Sequence, residues 1–372
     1  MEAPRRPFGS WTHARLYHTV RTAHLERALE LPPAPILYGV TRYDFDPELA
    51  QRVGAIPAGA IRAADMLGRS GVRTLEINEP ASVNSARRTA VTLAWLRLRH
   101  VALRRPRPTV TTYAISNSDP FVVPPGLRLR SRMLRRADHM LARYVWWECD
   151  RIVYGTDAAA ETYAAAFGAP RRWRASTVIP ALPAACSCVR ASDERPLRVV
   201  FLGALGERKG LPLVLASWST VRSEHPGAEL LVIGKGVLED TARRAADEDP
   251  SIRLLVDPPR TRIHEELRNA RVLVLPSQPG PRWREQIGLP IVEGLAHGCT
   301  VVTTDETGLA TWLSDHGHHV VRGAAGADEV GDAVRRALAK DRPPTSVLAD
   351  LPPVDGRLAA DTWLRGKAPA AR

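Results

Sequence analysis

Hydrophobic residues along this chain fall into short β-branched runs separated by longer stretches with helical spacing. In the C-terminal half the runs at 197–202 (LRVVFL), 229–233 (ELLVI), 252–256 (IRLLV), 272–275 (VLVL) and 301–305 (VVTTD) read as strands. They are continuous rather than alternating, the pattern of strands buried on both faces of a parallel sheet. In the N-terminal half, 11–31 reads as a helix and 35–40 as the first strand, followed by strands at 72–77, 109–115, 151–154 and 177–179. Helical spacing fills 83–105, 127–147, 158–167, 261–269 and 327–339, and 301–305 is the last clear strand. Alternation of this kind predicts an α/β protein of two doubly wound, Rossmann-like domains facing across a cleft. Prolines at 180, 183 and 196 mark the joint, giving domains at 1–182 and 197–345 with a linker at 183–196. A tail at 346–372 carries a short helix around Trp363 that is long enough to return to the first domain.

Two helices of the first domain carry unusual charge. The 83–105 helix has Val91, Ala94, Trp95, Leu98 and Val101 on one face, with Arg87, Arg88, Arg97, Arg99, Arg104 and Arg105 and no acid. The 127–147 helix sets Leu129, Met133, Ala137, Met140, Leu141 and Tyr144 against Arg128, Arg130, Arg132, Arg135, Arg136 and Arg143. The apolar stripes are expected in the core, with the arginines in water. The net charge of +12 follows the same division: residues 1–190 hold 28 Arg against 15 acids, and the remainder is close to neutral. An anionic membrane surface or a phosphorylated acceptor is therefore the expected partner of the first domain. No nucleic-acid module accompanies the charge, so nucleic acid is not expected.

Composition is that of a globular protein, with 44% hydrophobic residues, which excludes wholesale disorder. No apolar run approaches the ~18 residues of a membrane span, and MEAPRRPFGSW lacks a signal core. Cys186 and Cys188 flank one serine, neither a redox pair nor half of a zinc site by spacing, and Cys149 and Cys299 stand alone. The expectation is a cytoplasmic protein with no metal site.

The chemistry concentrates after the 272–275 strand. There PSQPGPRWREQIGLPIVEGLAHG places Glu285 in a polar loop, Pro290 at a helix start and Glu293 one turn inside that helix. Helix N-terminal amides favour a phosphate, and two carboxylates eight residues apart can accept hydrogen bonds from sugar hydroxyls. A second loop, Gly203-Ala204-Leu205-Gly206-Glu207-Arg208-Lys209-Gly210, follows the 197–202 strand. Its glycines admit a ligand to the backbone, and Arg208 and Lys209 add two cations. Its glycine spacing is not the dinucleotide fingerprint. A third turn, Gly234-Lys235-Gly236, ends the next strand. Asp44-Phe45-Asp46 has the form of a metal-binding Asp-x-Asp, but Pro47 follows at once, so Asp46 is read as a helix N-cap.

The run from Glu285 through seven residues to Glu293, then Ala296-His297-Gly298-Cys299-Thr300-Val301-Val302, resembles the donor-site signature of family-four retaining glycosyltransferases of the GT-B fold. The 203–210 loop resembles that family's Gly-Arg-Lys-Gly motif. The resemblance implies transfer of a sugar from a nucleoside-diphosphate sugar to an unknown acceptor hydroxyl, with retention and without a metal cofactor. It further implies that Arg208 and Lys209 hold the diphosphate together with amides at Ile287, Gly288 and Leu289. Glu285 would then meet the donor sugar, Glu293 the ribose, and the turns at Gly203, Gly206, Gly234 and Gly236 the rest of the donor. On the acceptor side it points to Gly59 and to Asn117 and Asp119, where many members carry a histidine. Asp119 or Asn117 would take over positioning there. Asn78 and Glu79 are candidates because they end a strand and would face any cleft above the sheet. A nucleotide-sugar-binding protein without transferase activity is the alternative.

Overall fold

The computed structural model describes residues 11–42, 45–119, 121, 128–168, 174–189, 195–280, 283–340 and 342–366. Two units are present: one runs to Pro180 and resumes at Arg357, the other is Ala181–Gly356.

The first unit contains β1 (His13–Val20), α1 (Thr22–Glu30), β2 (Ile36–Thr41), α2 (Pro47–Arg52), β3 (Ala55–Pro57), α3 (Ala60–Arg69), β4 (Thr74–Ile77), α4 (Val83–Ala102), β5 (Thr109–Ala114), α5 (Leu129–Glu148), β6 (Arg151–Tyr154), α6 (Asp157–Phe167) and β7 (Ala175–Val178). Its strands are parallel in the order β3-β2-β1-β4-β5-β6-β7. The second unit contains β8 (Arg198–Leu202), α7 (Leu211–Glu224), β9 (Glu229–Gly234), α8 (Glu239–Glu248), β10 (Ile252–Val256), α9 (Arg260–Arg268), β11 (Val272–Leu275), α10 (Leu289–Ala296), β12 (Thr300–Thr304), α11 (Ala310–Asp315), β13 (His319–Val321), α12 (Ala327–Ala339) and α13 (Pro344–Ala349). Its parallel order is β10-β9-β8-β11-β12-β13. Both sheets therefore reverse direction of growth once, between β1 and β4 and between β8 and β11. A doubly wound sheet opens a crevice at the carboxyl ends of its strands at such a switch point.

The second unit's core is continuous. All four residues of β11 are buried, as are Phe201 on β8, Leu230 and Ile233 on β9, and Trp218 on α7. Each such side chain contributes roughly 1.5–3 kcal/mol by leaving water.

The expected helix over 11–31 is corrected: its first part is β1, an inner strand of the sheet between β2 and β4, and only Thr22–Glu30 is helical. Arg15 broke the apolar pattern, yet it is fully buried and meets Glu76 at 3.5 Å and Asp361 at 3.6 Å. The strand at 301–305 is not the last, because β13 follows as a short edge strand beside β12. Asp46 does cap its helix, accepting from the Leu49 N–H at 3.0 Å, while Asp44 lies outside the described residues.

The stripes of α4 and α5 are also corrected. Val91, Ala94, Trp95, Leu98 and Val101 all face outward, and α4 buries Ala86, Ala90, Leu93 and Leu96 instead. On α5, Leu129 is 74% exposed, Met133 63% and Met140 73%, whereas Leu141 and Tyr144 of the expected stripe do pack, partly buried, against the core, beside buried Asp138, Ala142, Val145 and Trp146. The small residues let α4 approach its neighbours closely, and that contact determines which side is inside. The two acids of α5 are used internally: Arg87 makes a bidentate pair with Asp138 at 2.6 and 2.8 Å, and Arg97 meets Glu148 at 2.8 Å. Arg88 is buried, donating to the carbonyls of Tyr17 and Ala58 at 3.0 and 2.7 Å.

The final helix, α14 (Gly356–Arg365), packs Ala360 and Leu364 on Val153 of the first unit. Arg357 pairs with Glu76, and the Arg151 guanidinium lies 4.1 Å from the Trp363 ring centre.

Candidate functional site

At the switch point of the second sheet, the loop after β8 and the loop after β11 come together. The first makes a short 3₁₀ turn, Glu207–Lys209, and Gly210 then starts α7. Gly210 has φ +74°, and a side chain there would collide with the Pro276 carbonyl at the end of β11. The two loops are thus held in contact through a position only glycine can occupy. Gly234 plays the same part at the end of β9: with φ +151°, its missing Cβ leaves room for the Gly203 carbonyl. Gly206 is extended before the 3₁₀ turn, and Gly236 sits against the Leu205 backbone. The Gln278 N–H donates to the Arg208 carbonyl at 2.9 Å, fixing the second loop against the first.

This packing sets the charges. Lys209 forms an ion pair with Glu285, both side chains being nearly buried at 13% and 11% exposure. The Ser277 hydroxyl donates to the same carboxylate at 2.9 Å. Arg208 lies 4.3 Å from the centre of the Trp283 ring and Lys209 5.3 Å, so one indole faces two cations. Gly288 precedes α10, and the first hydrogen bonds of that helix come from Ile291 and Val292 to the Gly288 carbonyl. The amides of Ile287, Gly288 and Leu289 stand before this ladder, where helix N–H groups lack intrahelical acceptors. Glu293 lies inside α10 and pairs with Arg260 of α9 at 3.2 Å.

Lys209, Glu285, Arg208 and the start of α10 are therefore gathered by neighbouring strand ends, whereas Glu293 is engaged from α9. Ser277, Trp283 and Arg260 were missed in the sequence. Ser277 follows the buried strand β11 by two residues and was legible as a residue at the sheet's carboxyl edge; Trp283 and Arg260 had no local signal.

In the first unit the carboxyl edge of β4 carries Asn78 and Glu79. The Asn78 side chain accepts from the His18 N–H of β1. Glu79 accepts from the Ser116 N–H at 2.8 Å and from the Tyr163 hydroxyl at 3.2 Å. Burial pushes its pKa up to about 7, against the opposing effect of these hydrogen bonds. Asn117 is buried next to Ser116 in the chain, and Asp119 accepts from the Phe121 N–H at 2.8 Å, which closes a local turn. Gly59 caps α3 with open space where a side chain would stand. Glu79, Ser116 and Tyr163 thus form one network, in which Asp119 takes no direct part among the described residues.

Comparison with known proteins bears mainly on the second unit. Residues 196–340 match the family model described as "Glycosyl transferases group 1". A phosphatidyl-myo-inositol mannosyltransferase of Mycolicibacterium smegmatis is 30% identical over 118 residues, covering 32% of this chain and 30% of that protein. The amylovoran biosynthesis glycosyltransferase AmsK of Erwinia amylovora is 26% identical over 141 residues, 35% of each. The chain thus spans about a third of the length of the curated relatives it matches. Among solved structures, Anabaena HepE in complex with UDP aligns with a TM-score of 0.65 over 95% of both chains at 11% identity. WaaG, a glycosyltransferase involved in lipopolysaccharide biosynthesis, aligns with a TM-score of 0.53 over 94% of this chain and 95% of that one at 14% identity. The fold is that of these GT-B glycosyltransferase structures, with two parallel α/β sheets of Rossmann type.

Proposed function

We propose that this chain transfers a sugar from a nucleoside-diphosphate sugar to an acceptor hydroxyl, as a family-four retaining glycosyltransferase. The observation that carries the reading is the Lys209–Glu285 pair at the second sheet's switch point, beside Arg208 and the N-terminus of α10. It lies within the segment that matches the glycosyl transferases group 1 model. Arg208, Lys209 and the helix amides would stabilise the negative charge that grows on the departing diphosphate, the task a metal performs elsewhere. Glu285 would turn from Lys209 towards the donor sugar's hydroxyls, and Glu293 would meet the ribose.

The acceptor side of the proposal is an anionic membrane surface in contact with α5. Leu129, Met133, Met140 and Trp147 fall on one helical face, and all are exposed. Arg130, Arg132, Arg136 and Arg143 surround them, while both acids of the helix are paired with α4. An apolar face ringed by arginines is the composition of a helix that lies in a lipid interface. No helix among the described residues is long and apolar enough to cross a membrane. We place the protein on the cytoplasmic side, where its nucleotide substrate would be found.

A thermal-shift screen against UDP, GDP, ADP and dTDP, followed by transfer assays with the matching sugar nucleotides, tests the function. UDP is the first probe because HepE was solved with it. Stabilisation by one nucleotide with turnover of its sugar is the expected result. Stabilisation with neither transfer nor hydrolysis would favour a binding protein, and no stabilisation by any nucleotide would defeat both.

A further inference from the structure

Away from the loops just described, four side chains that ligate metals converge inside the second unit. Cys186 and Cys188 lie in the segment before β8, His264 is on α9, and His297 follows the last residue of α10. One ligand atom from each falls in a group whose members all lie within 4.8 Å of one another. The two sulfurs are 2.9 Å apart as free thiols, and the Cys186 sulfur is 4.0 Å from His264 Nδ1. The two imidazole rings meet edge to face, with centres 4.8 Å apart.

The orientation of His297 is the second, independent observation. Its Nδ1 lies 2.7 Å from the Glu293 carbonyl and donates to it, which leaves the lone pair on Nε2. That Nε2 is buried and has no hydrogen-bond partner, in a residue only 1% exposed. A buried imidazole nitrogen without a partner costs free energy unless something accepts its lone pair. A histidine whose second nitrogen is held by a backbone carbonyl is the usual arrangement of a metal ligand, with tautomer and ring direction fixed in advance.

We propose that Cys186, Cys188, His264 and His297 form a structural zinc site. Two thiolates and two neutral imidazoles match the ligand preference of Zn²⁺, and four protein ligands close its tetrahedron with no position left for a substrate. Bond lengths of about 2.3 Å to sulfur and 2.0–2.1 Å to nitrogen give tetrahedral edges of roughly 3.2–3.8 Å. The observed group needs its sulfurs to part by roughly an ångström and its widest pairs to close by up to about 1.5 Å, within the reach of side-chain rotation. On binding, each thiol gives up its proton to solvent and its sulfur lone pair to the metal, so two protons leave per ion. The complex of one Zn²⁺ with two thiolates is neutral, which suits a half-buried place.

The role is a clasp. The Cys186 N–H donates to the Ala296 carbonyl at 2.8 Å, and Arg195 donates to the His297 carbonyl at 2.7 Å. Zinc would join α9 to the two pieces these bonds already connect, the segment entering the unit and the C-terminal end of α10. The opposite end of α10 carries the amides of the donor loop, so the metal would hold the helix that presents them.

The test uses the full chain, with any affinity tag removed. Elemental analysis should find about one zinc per chain. Cobalt added to the metal-free protein should give the strong visible bands of a tetrahedral site together with thiolate-to-cobalt charge transfer. Zinc at a hundredfold excess over its dissociation constant should raise the melting temperature of the metal-free protein by roughly 5–10 °C. His264→Ala, on the half-exposed face of α9, should weaken zinc at least about tenfold in competition with a chromophoric chelator. Cys188→Ser should remove one thiolate from the cobalt spectrum. The proposal is overturned if the wild-type protein takes up neither metal stoichiometrically, or if Cys188→Ser and His264→Ala retain wild-type affinity. Conversion of Cys186 and Cys188 to a disulfide in the presence of zinc under glutathione buffering would overturn it as well. The cobalt titration needs no variant, so it decides even if a substituted chain fails to fold.

Discussion

Replacing Lys209 with methionine isolates the charge on which the proposed donor site depends. In the free protein that ammonium is neutralised by Glu285, and the carboxylate also accepts from Ser277. Removing the cation leaves the carboxylate in a place that is only 11% exposed. A fully buried pair broken in this way loses about 3–5 kcal/mol; the residual exposure here brings the expected loss of stability to about 2–3 kcal/mol. Lys209→Met also takes one charge-assisted hydrogen bond from a bound diphosphate, worth about 1.5–3 kcal/mol, so UDP affinity should fall about 10- to 150-fold. Glu285→Gln should behave differently. It removes the group that competes with the diphosphate for Lys209, so UDP affinity should hold or rise up to about fivefold, a change near 1 kcal/mol, while sugar transfer falls. Calorimetry with UDP on both single variants and the double variant, paired with donor-consumption assays, separates these effects. Unchanged UDP affinity in Lys209→Met, or an equal loss in Glu285→Gln, would refute the reasoning. Either result would mean that the pair holds the two loops together without holding the ligand.

Two other expectations concern the first unit. Glu79 has a folded-state pKa raised to about 7 by burial. Between pH ~4.5 and ~7 the native state keeps a proton that the unfolded state releases, so stability should fall as pH rises through this window, by about 3 kcal/mol. Urea titrations across that range should show the slope, and Glu79→Gln should flatten it; an unchanged slope in the variant would assign it to other groups. For α5, replacing Arg132 and Arg136 with glutamine should remove about 2 kcal/mol of attraction to anionic vesicles, roughly 30-fold in partitioning. Sedimentation with phosphatidylglycerol vesicles measures this, and equal binding to neutral vesicles would contradict an electrostatic contact.

Strands of the second sheet could be read directly because residues such as Val272–Leu275 are apolar without interruption and buried on both sides. β1 could not, since Arg15 stands in the middle of it and is neutralised by Glu76 and Asp361, which lie far away in sequence. β13 is only three residues long and begins with a histidine, which leaves too little pattern to detect. Helical periodicity located α4 and α5 but assigned the wrong face of α4 to the core, and on α5 only Leu141 and Tyr144 of the expected stripe reach it. A row of alanines can pack more closely than larger side chains, and hydrophobicity alone does not measure that. At the candidate donor site, the cationic and acidic residues were visible one by one. Their apposition across 76 residues of sequence depends on strand order, as does the meeting of Cys186 with His264 across 78. A CxC pair with its other two ligands on distant helices carries no recognisable local spacing.

Because α14 belongs with the opening residues, one unit is an insertion within the other, and the polypeptide passes between them twice. During synthesis the N-terminal sheet would leave the ribosome complete in all its strands, yet Arg15 and Glu76 would wait for Arg357 and Asp361 until the whole second unit had been translated. A contiguous fragment ending at Pro180 would retain that deficit permanently. Grafting the second unit onto a relative therefore calls for two splice points, near 180 and near 357, rather than one.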